Sequence, residues 1–416
     1  MLSSFVSHSV ANQSFPKVAS LRIGILCLGG LGGSGKIATE LARGLGNFDA
    51  SVFLLTSPKA RWVSNDESSF RYIGVHAPKT PTVADSQWVE RLAGDIIQQV
   101  EIHNISVLSV HYAVGLVEAA LLARQKLAER DRCLSVCLTL HGSDVTKFGR
   151  DPNYAPILRN AILACDGVTA VSHWLADEAV RILGLKTRPT VIHNAIDLDL
   201  FQAFPRWTMA DNDTFNLCHV SNFRDVKRPL DAVEVLARVR GAGVPGRLLM
   251  IGSGPNSDRA CEYAGSLGVA DKVVFLGAVS PTEVVRWLSV SDLQLVTSES
   301  ESFCLAALEA MACGVPVVGT FCGGLEEVMG LLDQEMPAQL LSQIGDTAAM
   351  AAKIVQLYNN PSAYRRLRDS LRGKIERRFS RSVQLQAYGD LFAVLELLND
   401  KRTERRSRTQ RGRGEM

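Results

Sequence analysis

No stretch of the 416 residues reaches the roughly 18 unbroken apolar residues that a membrane-crossing helix needs, so no spanning segment is expected. Neither sign of charge dominates: a formal net charge of +2 argues against a polyanion as partner of the main body. The nine cysteines are an odd number without short paired spacings, and Cys27, Cys137 and Cys218 sit inside apolar runs. That pattern disfavours a disulfide framework or a zinc site and points to a reducing cytoplasm. Residues 1–20 are polar and mixed, without the basic start and apolar block of a secretory leader. They are expected to form a flexible extension.

What is present is a repeated alternation of short β-branched runs with amphipathic helical stretches, the pattern of a parallel sheet covered on both faces. The first series has runs at 22–27, 51–55, 107–111, 134–139 and 168–171, then Pro189 to Asn194. The second has 216–220, 248–251, 273–276, 293–296 and 315–318. Hydrophobic content of 46% in so long a chain exceeds what one core usually holds. The expected fold class is α/β, two doubly wound, Rossmann-like domains facing across a cleft. The boundaries read as 21–196, a hinge at 197–213 where no period is visible, and 214–379. Residues 380–398 carry Leu385, Tyr388, Leu391, Phe392 and Leu395 at helical spacing and read as a helix crossing back to the first domain. Residues 399–416 read as a basic, disordered tail.

The motif with most chemistry is Glu301 through Glu309, which enters a helix ahead of the buried run Val317 to Thr320. Glu301 stands just before the helix, whose free N–H groups and positive dipole end suit a phosphate. Glu309, eight residues on, comes within about 80° of the same face. Two acceptors flanking one anion cradle suit a nucleotide sugar; an ordinary amphipathic helix with two solvated acids is the plainer alternative. The loop Gly29 to Ile37 nearly spells a phosphate-binding loop, but Ile37 has no hydroxyl for magnesium. It reads either as a tight turn or as a close approach for substrate, with Ser34 offering a donor. Arg224, Lys227 and Arg228 follow the first strand of the second series, where the sheet rule places ligands and where cations would neutralise a diphosphate. Glycine turns follow at Gly252-Ser253-Gly254-Pro255 and Gly323-Gly324. Asp197-Leu198-Asp199 mimics a metal-binding D-x-D but falls in the expected hinge.

With these motifs in order, together with His141-Gly142-Ser143-Asp144, Val171-Ser172, His193-Asn194 and Glu327, the chain resembles the retaining GT-B glycosyltransferases of family four over about residues 21–398. Within that family it is most similar to the malate-using subgroup, the N-acetylglucosaminyl L-malate synthases that begin bacillithiol assembly. The phrases carrying that likeness are Gly33-Ser34-Gly35 before Ala38-Thr39-Glu40-Leu41, His111-Tyr112-Ala113, Leu140 to Asp144, Asp166 to Ser172, and Ser221-Asn222-Phe223-Arg224 with Val226-Lys227-Arg228.

The resemblance implies UDP-N-acetylglucosamine as donor and a small anion, L-malate, as acceptor, with a homodimer left open, no nucleic acid, no stable membrane insertion, no cofactor and no metal. It implies an acceptor-binding first domain and a nucleotide-sugar-binding second. Catalytic roles fall on Arg224 and Lys227 (leaving UDP), His141 and Glu301 (donor sugar). Donor contacts fall on Gly33, Asn222, Gly252, Ser302, Phe303, Cys304, Leu305 and, for the ribose, Glu309. Acceptor contacts fall on Ser34, Tyr112, Thr139 and Arg159. The chain departs from the family at Cys304, where relatives carry Gly, at Asn222, where many carry Arg, and at 76–90, which lacks an aromatic, proline-rich stretch associated with malate users. Other acceptors such as a sugar phosphate or glycan stay open. So do two other classes, a P-loop NTPase using Lys36 and a noncatalytic nucleotide-sugar sensor or scaffold.

Overall fold

The computed structural model describes residues 21–29, 33–46, 50–56, 68–76, 86–202 and 214–414, with the side chains of 337 and 405–414 left aside. The expected extension at 1–20, part of the expected hinge at 203–213, Gly30 to Gly32, and 77–85 lie outside the described residues.

The first strands are β1 (Arg22–Cys27), β2 (Ser51–Thr56), β3 (Arg71–Gly74), β4 (Val107–His111), β5 (Ser135–Leu140), β6 (Gly167–Ala170) and β7 (Thr190–Val191). The later ones are β8 (Phe215–Val220), β9 (Gly246–Ile251), β10 (Val273–Gly277), β11 (Leu293–Val296), β12 (Val317–Thr320) and β13 (Leu341–Ser342). Every residue of β4, β5, β11 and β12 is buried. Burial on both faces is why their sequences are mostly apolar and do not strictly alternate apolar with polar.

Two parallel sheets result, as expected for a Rossmann-like α/β chain. One has the order β3-β2-β1-β4-β5-β6-β7 and the other β10-β9-β8-β11-β12-β13. Each therefore reverses its strand order beside its first strand, at β1/β4 and at β8/β11. Register puts Cys27 beside His111 in the first sheet and Leu217 beside Leu293 in the second. In open α/β sheets ligands bind outside the strand carboxyl ends at such reversals.

The chain packs as two compact units, Met1–Leu138 with Ala164–Gly167 and Leu385–Met416, and Thr139–Leu163 with Val168–Gln384. This division differs from boundaries drawn at 196 and 214. Contacts such as Ser172 Oγ to the Ser302 carbonyl at 2.6 Å and Ile196 N to the Phe379 carbonyl at 3.0 Å tie 168–196 to later residues.

The last helix corrects the reading of the C-terminus, because it runs from Arg381 through Gly414 instead of stopping at 398. In the first unit, Asn399 bonds the Ser106 carbonyl at 2.6 Å and the Ser135 hydroxyl at 2.9 Å, and Arg402 pairs with Asp166. These bonds carry the helix past its apolar stretch, and beyond them Arg and Gln are good helix formers. No described helix is long and apolar enough to cross a membrane.

Candidate functional site

The reversal at β8/β11 collects the charged residues. After β8 the chain turns through Ser221 to Arg224 into a short 3-10 turn, Asp225–Lys227. After β11 it runs to Glu301 and then to the helix Leu305–Ala312. The two loops are stitched together: Thr297 Oγ1 donates to the Lys227 and Arg228 carbonyls at 2.8 and 2.9 Å, and Glu299 N to the Val226 carbonyl at 2.8 Å. Lys227 Nζ consequently meets Glu301 Oε1 at 2.7 Å. Burial, the largest single influence, pushes the Lys227 pKa down, but the charge and hydrogen bond of Glu301 together with nearby Cys304 and Cys322 outweigh it and hold the ammonium above its ordinary value. Ser298 Oγ donates to the same carboxylate oxygen at 2.7 Å.

Arg224 and Asn222 are exposed at the mouth of this loop, and Arg224 is tied to Lys227 through its carbonyl, which accepts Lys227 N at 2.8 Å. Glu309 lies on the helix Leu305–Ala312 and is half-buried. The residue at that helix's start, Cys304, has φ 72° and ψ 68° and makes no side-chain cap hydrogen bond. Left-handed backbone is the conformation that favours glycine, the residue that the resemblance led one to expect here. Burial raises the Cys304 thiol pKa well above its ordinary value, so it stands as a neutral thiol. Phe303 is core: its ring packs edge-on to Phe379 at 5.6 Å and beside His193 at 5.9 Å. Leu305 opens the helix, half-buried.

The loop after β5 reaches the same segment. Gly142 has φ +140°, and a Cβ there would lie 1.9 Å from Ser302 Oγ, so only glycine permits the approach. It brings His141 to the Glu301 loop. Desolvation pushes the His141 pKa down to about 3, leaving a neutral imidazole that can share one proton and accept another. Gly252, at φ +124°, serves β9 similarly, since a Cβ there would lie 1.8 Å from the Ser221 carbonyl.

Glu327 has a structural task. Its oxygens accept the His173 and Trp174 N–H groups at 2.8 Å each, at the start of the helix His173–Leu183, and His193 Nε2 lies 2.9 Å away. Burial opposes its ionisation, but these bonds hold the carboxyl below its ordinary range. Among the described residues His173, His193 and Glu327 form a group with metal-ligand atoms within 4.8 Å of one another. With both carboxylate oxygens bonded and the Arg188 guanidinium 3.1 Å from His173 Nδ1, the arrangement is that of a helix cap, and a dication would meet a positive neighbour. Asp197 is likewise engaged, capping its own turn through Asp199 N and Leu200 N and pairing with Arg381 at 2.7 Å.

The residues expected to hold the acceptor fall in both compact units. In the first, Ser34 lies at the start of the helix Gly33–Gly46, next to Gly33, which was expected at the donor, and Tyr112 follows β4 at φ 87°, buried. In the second, Arg159 is exposed on the helix Ala155–Ala164, whereas Thr139 is fully buried and its hydroxyl accepts the Thr169 hydroxyl at 2.9 Å. The sequence reading missed Ser298, Thr297 and Asn256. Hydroxyl and amide side chains in loops have no periodicity, and only their position at strand ends could have singled them out. All nine cysteines are free thiols.

Two family descriptions match the chain, Glycosyltransferase Family 4 over residues 31–200 and Glycosyl transferases group 1 over residues 204–374. The chain is 31% identical to the N-acetyl-alpha-D-glucosaminyl L-malate synthase of Bacillus anthracis, over 89% of this chain and 96% of that protein. It is 36% identical to the D-inositol 3-phosphate glycosyltransferase of Mycolicibacterium smegmatis, over only 34% of each. Among solved structures, sucrose-phosphate synthase from Thermosynechococcus elongatus superposes with a TM-score of 0.73 at 20% identity, covering 90% of this chain and all 100% of that one. Anabaena HepE in complex with UDP superposes with a TM-score of 0.74 at 17% identity, covering 90% and 100%. At such identities these two likenesses establish the fold.

Proposed function

The chain belongs to the group 1, family 4 glycosyltransferases of GT-B fold and is a transferase, and from that premise we propose that it moves N-acetylglucosamine from UDP-N-acetylglucosamine to L-malate with retention of configuration. The observation that carries the donor half is the Lys227–Glu301 pair at the β8/β11 reversal, beside an uncapped helix start and with Glu309 further along the same helix. The malate half rests on the similarity to the malate synthase over 89% of the chain, and the reaction would open a bacillithiol-type thiol assembly.

In this reading the diphosphate lies against the first-turn N–H groups of the helix Leu305–Ala312, with Asn222, Gly252, Ser302 and Leu305 around the donor. Glu309 takes the ribose hydroxyls and Glu301, with neutral His141, the sugar hydroxyls. Lys227 and Arg224 neutralise the charge that gathers on UDP as the C1–oxygen bond breaks. The malate hydroxyl attacks from the same face, its oxygen bonds to C1, and its proton passes to the departing phosphate. The protein thereby supplies position and charge, without an enzyme nucleophile and without a metal. Arg159, exposed on the helix Ala155–Ala164, is the cation proposed to pair with an acceptor carboxylate. Nine free thiols suit a reducing cytoplasm.

The test is binding followed by turnover. Calorimetry with UDP and UDP-N-acetylglucosamine, with and without EDTA, should give the same affinity, and adding L-malate should release UDP and yield a glycosyl malate. Absence of UDP binding, or binding abolished by EDTA, would overturn the donor assignment. UDP release with a sugar acceptor but not malate would overturn the acceptor.

A further inference from the structure

We propose that Ser221, with His219 behind it, is a positioning residue that locks the Asn222–Arg224 turn in its donor-ready shape; this rests on the donor assignment above. Phe223, at the centre of the turn, has φ +39°. A β-carbon-bearing residue in left-handed backbone is strained and persists there only where its surroundings over-determine it. Those surroundings act from two sides.

On one side Phe223 N donates to Ser221 Oγ at 3.2 Å. Ser221 Oγ lies 2.9 Å from His219 Nε2, while His219 Nδ1 lies 3.2 Å from the Leu295 carbonyl. A carbonyl only accepts, so Nδ1 carries the proton and, in the neutral ring, Nε2 accepts the Ser221 hydroxyl. His219 is 2% exposed, and desolvation pushes its pKa down to about 4, so the neutral ring is the form present at neutral pH. The hydroxyl proton is thereby turned onto His219 and a lone pair onto Phe223 N–H. The relay has one direction, from the β11 backbone to the turn.

On the other side Asn256, 3% exposed, donates to the Phe223 carbonyl from both N and Nδ2 at 3.1 Å, and Nδ2 also reaches Asp225 Oδ1 at 3.0 Å. The Phe223 ring, 1% exposed, stacks on His219 with centroids 5.9 Å apart. The turn that presents exposed Asn222 and Arg224 is thus held by half-buried Ser221 and by buried His219 and Asn256. Displacing such a turn by about 1 Å is enough to cost a transferase a large part of its rate.

The test compares Ser221→Ala, His219→Asn and His219→Gln with the natural protein. Asn keeps a donor for Leu295 but has no atom where Nε2 stood; Gln places an amide there. We expect Ser221→Ala and His219→Asn to lose at least about tenfold in kcat/KM for UDP-N-acetylglucosamine, and Gln to recover most of it. Native-state hydrogen exchange at Phe223 and Arg224 should speed up in the first two while β8 and β11 stay protected. Unchanged exchange at the turn, kinetics within about twofold of natural in folded variants, or a Gln variant no better than Asn would each overturn the proposal. If the natural protein binds no UDP, the donor assignment falls instead, and the exchange experiment still judges the turn.

Discussion

Lys227 Nζ and Glu301 Oε1 stand 2.7 Å apart with the Ser298 hydroxyl on the same oxygen, so one carboxylate anchors the ammonium of the β8 loop to the end of the β11 loop. The side chains keep 20% and 11% of their exposure, so the pair is largely desolvated. Removing one partner should therefore cost more than the pair itself contributes.

Lys227→Met should lower stability by about 2–4 kcal/mol, because the largely desolvated Glu301 carboxylate is left without its cation. Adding Glu301→Gln to it should recover most of that stability but none of the turnover. Urea unfolding of the four members of this cycle measures it. A double variant no more stable than Lys227→Met would contradict the pairing argument.

Exposed Arg224 should behave differently. Arg224→Ala should change stability by less than about 0.5 kcal/mol yet reduce kcat roughly a hundredfold, with little change in donor KM. A rise confined to KM would make it a uniform binder and remove its leaving-group role.

For Glu309→Ala, loss of charged hydrogen bonds to the ribose of about 1.5–3 kcal/mol translates into a UDP Kd roughly tenfold to a hundredfold weaker. Isothermal calorimetry on the folded variant decides. An unchanged Kd would assign the ribose elsewhere.

Cys304, at φ 72°, sits in a conformation that costs a side-chain-bearing residue about 1–2 kcal/mol. Cys304→Gly should accordingly be more stable than Cys304→Ala by about 1 kcal/mol and remain active. Thermal unfolding of the two, side by side with UDP-release assays, checks both halves. Alanine the more stable would mean that the turn relaxes on substitution.

The pH dependence has a definite sign. His219 and His141 have folded pKa values of about 4 and about 3, both depressed by desolvation below the ordinary 6.5. Between 6.5 and about 4 the unfolded chain binds more protons, so each should remove about 1.4 kcal/mol per pH unit as pH falls. Unfolding free energies at pH 7, 6 and 5 should fall steadily. His219→Gln should flatten the slope by about one such contribution, and a slope unchanged by that substitution would show His219 to be uninvolved.

Much of this protein was legible without coordinates. Strands β1, β4 and β11 begin and end where the sequence runs do, because burial of nearly all their residues makes the runs mostly apolar against polar flanks. Glu301, Glu309, Arg224 and Lys227 stood out because charges at strand ends and helix starts are chemically conspicuous. Strand β3 was invisible since Arg71-Tyr72-Ile73-Gly74 is exposed or only partly covered, and β13 because two residues, Leu341 and Ser342, carry no period. The helix past 398 was hidden because its anchors, Asn399 on Ser106 and Ser135 and Arg402 on Asp166, are 236 to 293 residues distant along the chain. Residue types at strand ends determined which chemistry the chain could perform. Only the tertiary structure decided which oxygen Lys227 meets, which nitrogen of His219 holds the proton, and that Phe223 and Cys304 are held left-handed. Those are properties of the neighbours a side chain acquires on folding, and no local pattern of hydrophobicity or charge encodes them.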